Sequence, residues 1–165
     1  MSKADKKKAA FSLFISLLLI FAAVAIDQWT KYLAVTYLKG KPSYPLIPGV
    51  LEFVYVENTG AAFGLMQGLR PLFLALAPIV SVVLLVFMYK MKQSRRFLPL
   101  RICFGFIVAG ALGNFIDRLR LSYVIDFIYF MPINFPVFNV ADIYVTCSCI
   151  LLILLILFKY KEEDF

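Results

Sequence analysis

The chain of 165 residues contains no histidine. That absence removes the HExxH zinc site and every Ser–His or Cys–His dyad from the chemistry open to it. Charge is scarce as well: 16% of residues are Asp, Glu, Lys or Arg, where a soluble domain carries about a quarter. Acid is the scarcer sign, with ten Asp and Glu against seventeen Lys and Arg. The three cysteines, Cys103, Cys147 and Cys149, all sit in apolar runs. Cys147 and Cys149 are two apart, so on a helix they diverge by about 200° and cannot face one metal together. They read as helix-packing residues, and no disulfide framework is implied.

Hydrophobic residues make up 62% of the chain, and the mean hydropathy is +0.87. The excess lies in runs long enough to cross a bilayer, which takes about 20 residues each. A net charge of +7 would suggest nucleic acid if it formed one patch. Here Lys and Arg cluster at the ends of the apolar runs, so they read as a topology signal, and no nucleic-acid partner is expected.

Four spans are predicted, over about 9–30, 71–89, 97–117 and 137–158, with longer polar loops at 31–70 and 118–136. Residues 9–26 carry no charge and follow Lys3, Lys6, Lys7 and Lys8. Ala23-Val24-Ala25 would suit a signal-peptide cleavage site, but the run is long for a signal sequence and reads better as a spanning helix. At its far end Asp27 and Lys31 share a face. Spacing alone makes them an interfacial ion pair beside the belt residues Trp29 and Tyr32. Gly40, Pro42, Pro45, Pro48 and Gly49 argue a loop. Residues 50–56, rich in Val, Phe and Tyr, argue a strand, followed by a turn and a short interfacial helix. Pro78 is tolerable inside a membrane helix. The third span carries Gly105, Gly110 and Gly113, small residues that let helices approach closely. Eleven of the seventeen Lys and Arg fall on one side of four alternating spans, which predicts that both termini are cytoplasmic.

With that topology Asp27, Lys31, Asn114, Asp117, Arg118, Asn139 and Asp142 gather at the outer leaflet, with Asn58 and Asp126 in the outer loops. Acids kept near a membrane segment mark function by default. Two close carboxylates share a proton and titrate as a pair. Such a pair hydrolyses a peptide bond without His, Ser, Cys or metal: one takes a proton from water, the other protonates the carbonyl. The same cluster would also serve a proton relay, as in a small proton-coupled transporter, or tie helices together. A transporter usually shows internal repeats and midplane sites; neither is visible here. Residue physics does not choose among Asp117, Asp126 and Asp142.

Five blocks in order sharpen the reading: DQWTK at 27–31, ENTGAAFG at 57–64, GALGNFIDR at 110–118, VIDF at 124–127 and FNVAD at 138–142. With these blocks the chain resembles the bacterial lipoprotein signal peptidases (signal peptidase II) over nearly its whole length. The resemblance implies a membrane all-α fold: a four-transmembrane-helix bundle in one peptidase domain. On its outer face it implies a small β-cradle built from the first outer loop and an interfacial amphipathic helix. It implies Asp126 and Asp142 as the catalytic aspartates, with Asp117 in support. Asn58, Gly60, Asn114, Arg118 and Asn139 match residues that line the family's site, and Asp27 and Lys31 match its bracing block. Ile143 departs from the small polar residue usual there. No cofactor or metal is implied. The expected substrate is a prolipoprotein whose cysteine carries diacylglycerol, cut just before that cysteine by a monomer in contact with membrane lipid.

Overall fold

The computed structural model describes residues 2–60, 70–161 and 163. Among these, four α-helices are long and apolar enough to cross a membrane. They are α1 (Lys3–Leu38), α2 (Arg70–Lys90), α3 (Leu98–Leu121) and α4 (Val140–Phe158). The first starts well before the apolar run, because Ser2 and Asp5 form a capping box at its N-terminus and satisfy donors the helix leaves open. It also continues past the run, through Lys31 to Leu38. The fourth starts at Val140, where Asn139 caps it and pairs reciprocally with Asp142.

Helix α3 is the centre of the bundle and packs on the other three. Half of its most apolar window is buried, while the other helices turn most of their surface outward. Small residues make this possible, since apolar helices in lipid associate by close contact and not by escape from water. Ile20 and Ala23 of α1 pack on Val108 and Ala109 of α3. At the far end Met88, Met91, Phe97, Leu100, Phe104 and Tyr160 form a second cluster. There the buried Arg101 donates to the carbonyls of Met91 and Lys92, closing the C-terminal end of α2, and to Ser12 Oγ of α1.

Strands β1 (Tyr44–Ile47), β2 (Leu51–Asn58) and β3 (Val124–Phe130) form an antiparallel sheet in that order. The strand expected at 50–56 is β2. Two loop assignments are corrected. The proline-rich stretch supplies β1, with Pro45 tolerated because β1 is the exposed edge strand. The second loop supplies β3, so the sheet is built from both loops and not from the first alone. Ala34 of α1 with Ile125 and Phe127 of β3 forms the core that seats the sheet on the bundle. The interfacial helix expected after the turn at Asn58 lies outside the described residues.

Candidate active site

Two glycines let three elements meet. A Cβ on Gly110 would stand 2.5 Å from the Ala141 carbonyl and 2.6 Å from Val145 of α4. One on Gly113 would stand 2.5 Å from Asp27 Oδ2. Their absence lets the N-terminus of α4 and the Asp27 side chain lie directly against α3.

Asp27 and Lys31 are not the interfacial pair that spacing suggested. They are 0% and 1% exposed, and Lys31 Nζ stands 3.0 Å from Asp27 Oδ2 and 3.0 Å from Asp117 Oδ2. A buried ammonium needs such partners to offset its lost hydration. The sheet and α4, folded over the end of α1, exclude the solvent that a helix surface would offer. Asp27 Oδ1 accepts the Ala141 N–H at 3.0 Å, in the first turn of α4, where a carboxylate is favoured. Asp117 Oδ2 accepts the Ile125 N–H at 3.1 Å and so fixes the start of β3. Gln28, which sequence reasoning passed over, donates to Asp27 at 3.2 Å, Asp117 at 3.0 Å and the Gly113 carbonyl at 3.2 Å. Its signal was its place in the DQWTK block, beside Asp27.

Beside this buried layer stand Asp126 and Asp142, bridged by Asn139. Asn139 Nδ2 donates to Asp126 Oδ1 at 2.6 Å, its backbone N–H donates to Asp142 Oδ2 at 3.1 Å, and its Oδ1 accepts the Asp142 N–H at 3.1 Å. Asn114 Nδ2 donates to Asp142 Oδ1 at 2.8 Å. Asn58 Nδ2 donates to Asp126 Oδ2 at 2.8 Å, and Asn58 Oδ1 accepts the Gly60 N–H at 3.0 Å. Arg118 donates to the carbonyls of Gly60 at 3.2 Å and Asn114 at 3.3 Å and lies over the Phe73 ring at 4.7 Å. All ten residues singled out from the sequence therefore belong to one connected network. Asp126 is 2% exposed. Burial, with repulsion from Asp142 added, pushes its carboxyl up to about 6 against the opposing hydrogen bonds from Asn58 and Asn139. Asp142 is half-buried at the third position of α4, facing the positive end of that helix. Ile143, the departure from the family pattern, is exposed and takes no part.

Both acids line one cavity of about 480 Å³ with Asn58, Asn114 and Arg118. Much of its lining is apolar, including Leu76, Ala77 and Val80 from α2, Ile107, Gly110 and Ala111 from α3, and Val145 from α4. From Asn114 to Ile107 the wall follows α3 for about 10 Å at 1.5 Å per residue. Two carboxylates of unlike environment, lining one largely apolar cleft, can divide the acid and base halves of a hydrolysis between them.

The family model described as "Signal peptidase (SPase) II" matches residues 19–158. The lipoprotein signal peptidase of Caldanaerobacter subterraneus subsp. tengcongensis is 41% identical over 145 residues, 87% of this chain and 97% of that protein. That of Acinetobacter baylyi is 38% identical over 99% of this chain and 95% of its own. A solved bacterial membrane enzyme, determined in meso at 2.3 Å, superposes with a TM-score of 0.80 at 35% identity, covering 92% of this chain and 94% of that one.

Proposed function

This chain belongs to the signal peptidase II family, and on that premise we propose that it is an aspartic endopeptidase with Asp126 and Asp142 as its catalytic pair. Its substrate is a diacylglyceryl-modified prolipoprotein, cut just before the lipidated cysteine. The observation that carries the reading is Asn139, whose side chain and backbone hold both acids in one cavity.

The unlike surroundings divide the roles. Asp142, with N–H donors on both oxygens at a helix N-terminus, serves as the base. It takes a proton from water as the hydroxyl oxygen bonds to the scissile carbonyl carbon. Asp126, whose affinity for a proton is raised by burial, gives its proton to the carbonyl oxygen. In the second half Asp126 recovers that proton, Asp142 protonates the departing nitrogen, and the C–N bond breaks. Neither metal nor cofactor enters. Asn58, Asn114, Asp117, Arg118, Asn139, Asp27, Lys31 and the Gly60 backbone support the pair.

The membrane setting fits this chemistry. Residues 9–26 span about 27 Å as helix, close to the hydrocarbon thickness, which sets Asp27 near one interface at the level of the exposed Trp29 and Tyr32. The excess of Lys and Arg at the opposite end makes that interface the outer face of the bacterial cytoplasmic membrane, with both termini cytoplasmic. Lipid chains stay in the bilayer or the apolar cleft while water reaches the scissile bond at the acid pair. The enzyme acts as a monomer. The test is cleavage of a diacylglyceryl-prolipoprotein, read by gel shift, for the parent beside folded Asp126→Asn, Asp142→Asn and Asp117→Asn. The first two should be inactive while Asp117→Asn retains some activity. Near-parent cleavage by either of the first two would overturn the assignment.

A further inference from the structure

Two buried carboxylates each accept the backbone N–H of the residue just before one of the proposed catalytic acids. Asp27 holds Ala141, next to Asp142, and Asp117 holds Ile125, next to Asp126. One ammonium joins the two holders: Lys31 Nζ is 3.0 Å from each. Its remaining bond goes to Asn114 Oδ1 at 2.9 Å. Lys31 is 1% exposed, so its three donors meet three acceptors.

An ammonium has donors only. Asn114 must therefore turn its oxygen toward Lys31, which leaves its NH₂ facing Asp142. The same oxygen accepts Asn139 Nδ2 at 3.1 Å, and this keeps the Asn139 NH₂ directed at Asp126. The Asn139 amide is also set by its cap, since its oxygen accepts the Asp142 N–H; the Asn114 oxygen is the one that meets the Lys31 charge.

We propose, resting on the aspartic reading above, that Lys31 is the positioning residue of the acid pair. It sets the separation of the two segments that carry the acids, and it fixes Asn114 so that a donor and not an acceptor meets Asp142. The charged groups around Asp142 are few among the described residues. Asp126 of β3 and Arg118 of α3 share its cavity, Lys31 and Asp27 of α1 stand behind Asn114 and Ala141, and α2 presents apolar side chains. Without the ammonium the Asn114 oxygen keeps only the neutral Asn139 donor, so the amide is held less firmly against turning its oxygen to Asp142, an arrangement that disfavours the base.

The experiment compares pH profiles of kcat and KM on a diacylglyceryl-prolipoprotein for two variants whose folding is followed by thermal melting in detergent. Lys31→Met combined with Asp117→Asn removes the ammonium while keeping the formal charge of the buried layer. It should lower kcat about 100-fold, the scale of a misplaced catalytic group, with KM within about threefold, and move the acid limb of the profile upward. Asn114→Asp keeps an acceptor for Lys31 but sets a carboxylate oxygen against Asp142. It should fold and raise the acid limb by about a unit or more through like-charge repulsion. A folded double variant with parent-like kcat and limbs would overturn the proposal. So would Asn114→Asp with an unmoved acid limb, which decides alone if the double variant does not fold. Near-parent cleavage by Asp126→Asn or Asp142→Asn would instead remove the acid pair itself, and Lys31 would have nothing to position.

Discussion

At the scale of single residues, Asp126 makes the sharpest prediction. It is buried where a carboxylate is disfavoured, and its pKa rises from the usual 3.8 to about 6. A raised acid keeps its proton in the fold, so its contribution to stability is fully present below about pH 4 and is lost as pH rises through about 6. The difference amounts to about 2–3 kcal/mol at 1.36 kcal/mol per unit. The stability of Asp126→Asn relative to the parent should therefore rise between about pH 4 and 6 and level off above, as measured by denaturation in detergent at several pH values. A flat difference would mean that Asp126 is not perturbed. If Asp126 is the general acid, kcat/KM should fall above about pH 6 with unit slope. The same limb in kcat should lie higher, because bound substrate excludes more water. The identity of the proton holder was not legible in the sequence. Asp117, Asp126 and Asp142 are alike as letters, and only the Ile125 N–H, the Asn139 bridge and the capping box separate their environments.

At the scale of elements, the contact of α3 with α1 and α4 decides whether the network can form. Gly→Ala in a helix normally gains up to about 1 kcal/mol. At Gly110 and Gly113 the added methyl would meet the Ala141 carbonyl and Asp27 Oδ2, each at 2.5 Å. Neither yields readily, since one is backbone and the other a buried carboxylate bonded on both oxygens. Gly110→Ala and Gly113→Ala should each cost about 1–3 kcal/mol, the usual cost of overpacking, and lose most cleavage activity. Gly105→Ala, whose methyl meets only side-chain atoms, Leu19 Cδ2 at 3.3 Å and Ile20 Cγ1 at 3.8 Å, should keep both. Equal melting temperatures for all three would mean that the close approach is not required. The four apolar runs and the spacing of small residues on α3 were readable in advance, because span length and helix contact follow from local composition. Strand β3 was not. Its stretch 124–130 is too short to be told from an apolar loop by periodicity, and its partner β2 lies 66 or more residues away in sequence. Lys31 was misplaced for a related reason: spacing puts it on the surface of α1, and only the tertiary fold, with Asn114 and Asp117 of α3 against it, buries it.

For the whole molecule, orientation is the property on which everything else turns. Helix α1 has 36 residues, about 54 Å at 1.5 Å per residue, against a hydrocarbon core of about 30 Å. It must protrude, and its two ends differ. One carries Lys3, Lys6, Lys7 and Lys8, while the other carries Ala34, Val35 and Leu38 packed on the sheet. The sheet, which carries Asp126, and the acid pair lie at the second end. With cytoplasmic termini, a substrate crossing the membrane meets the acids only after its signal segment has entered the bilayer. Its lipid chains then lie level with the cleft and its scissile bond with the water. With the opposite orientation the same acids would face the cytoplasm. The test replaces Cys103, Cys147 and Cys149 and introduces one cysteine at an exposed position, Lys41→Cys at the sheet end or Ser94→Cys in the α2–α3 connection. A membrane-impermeant maleimide should label Lys41→Cys in intact spheroplasts and Ser94→Cys only after permeabilisation. The reverse pattern would leave the acid pair unable to meet a translocated substrate, whatever its chemistry.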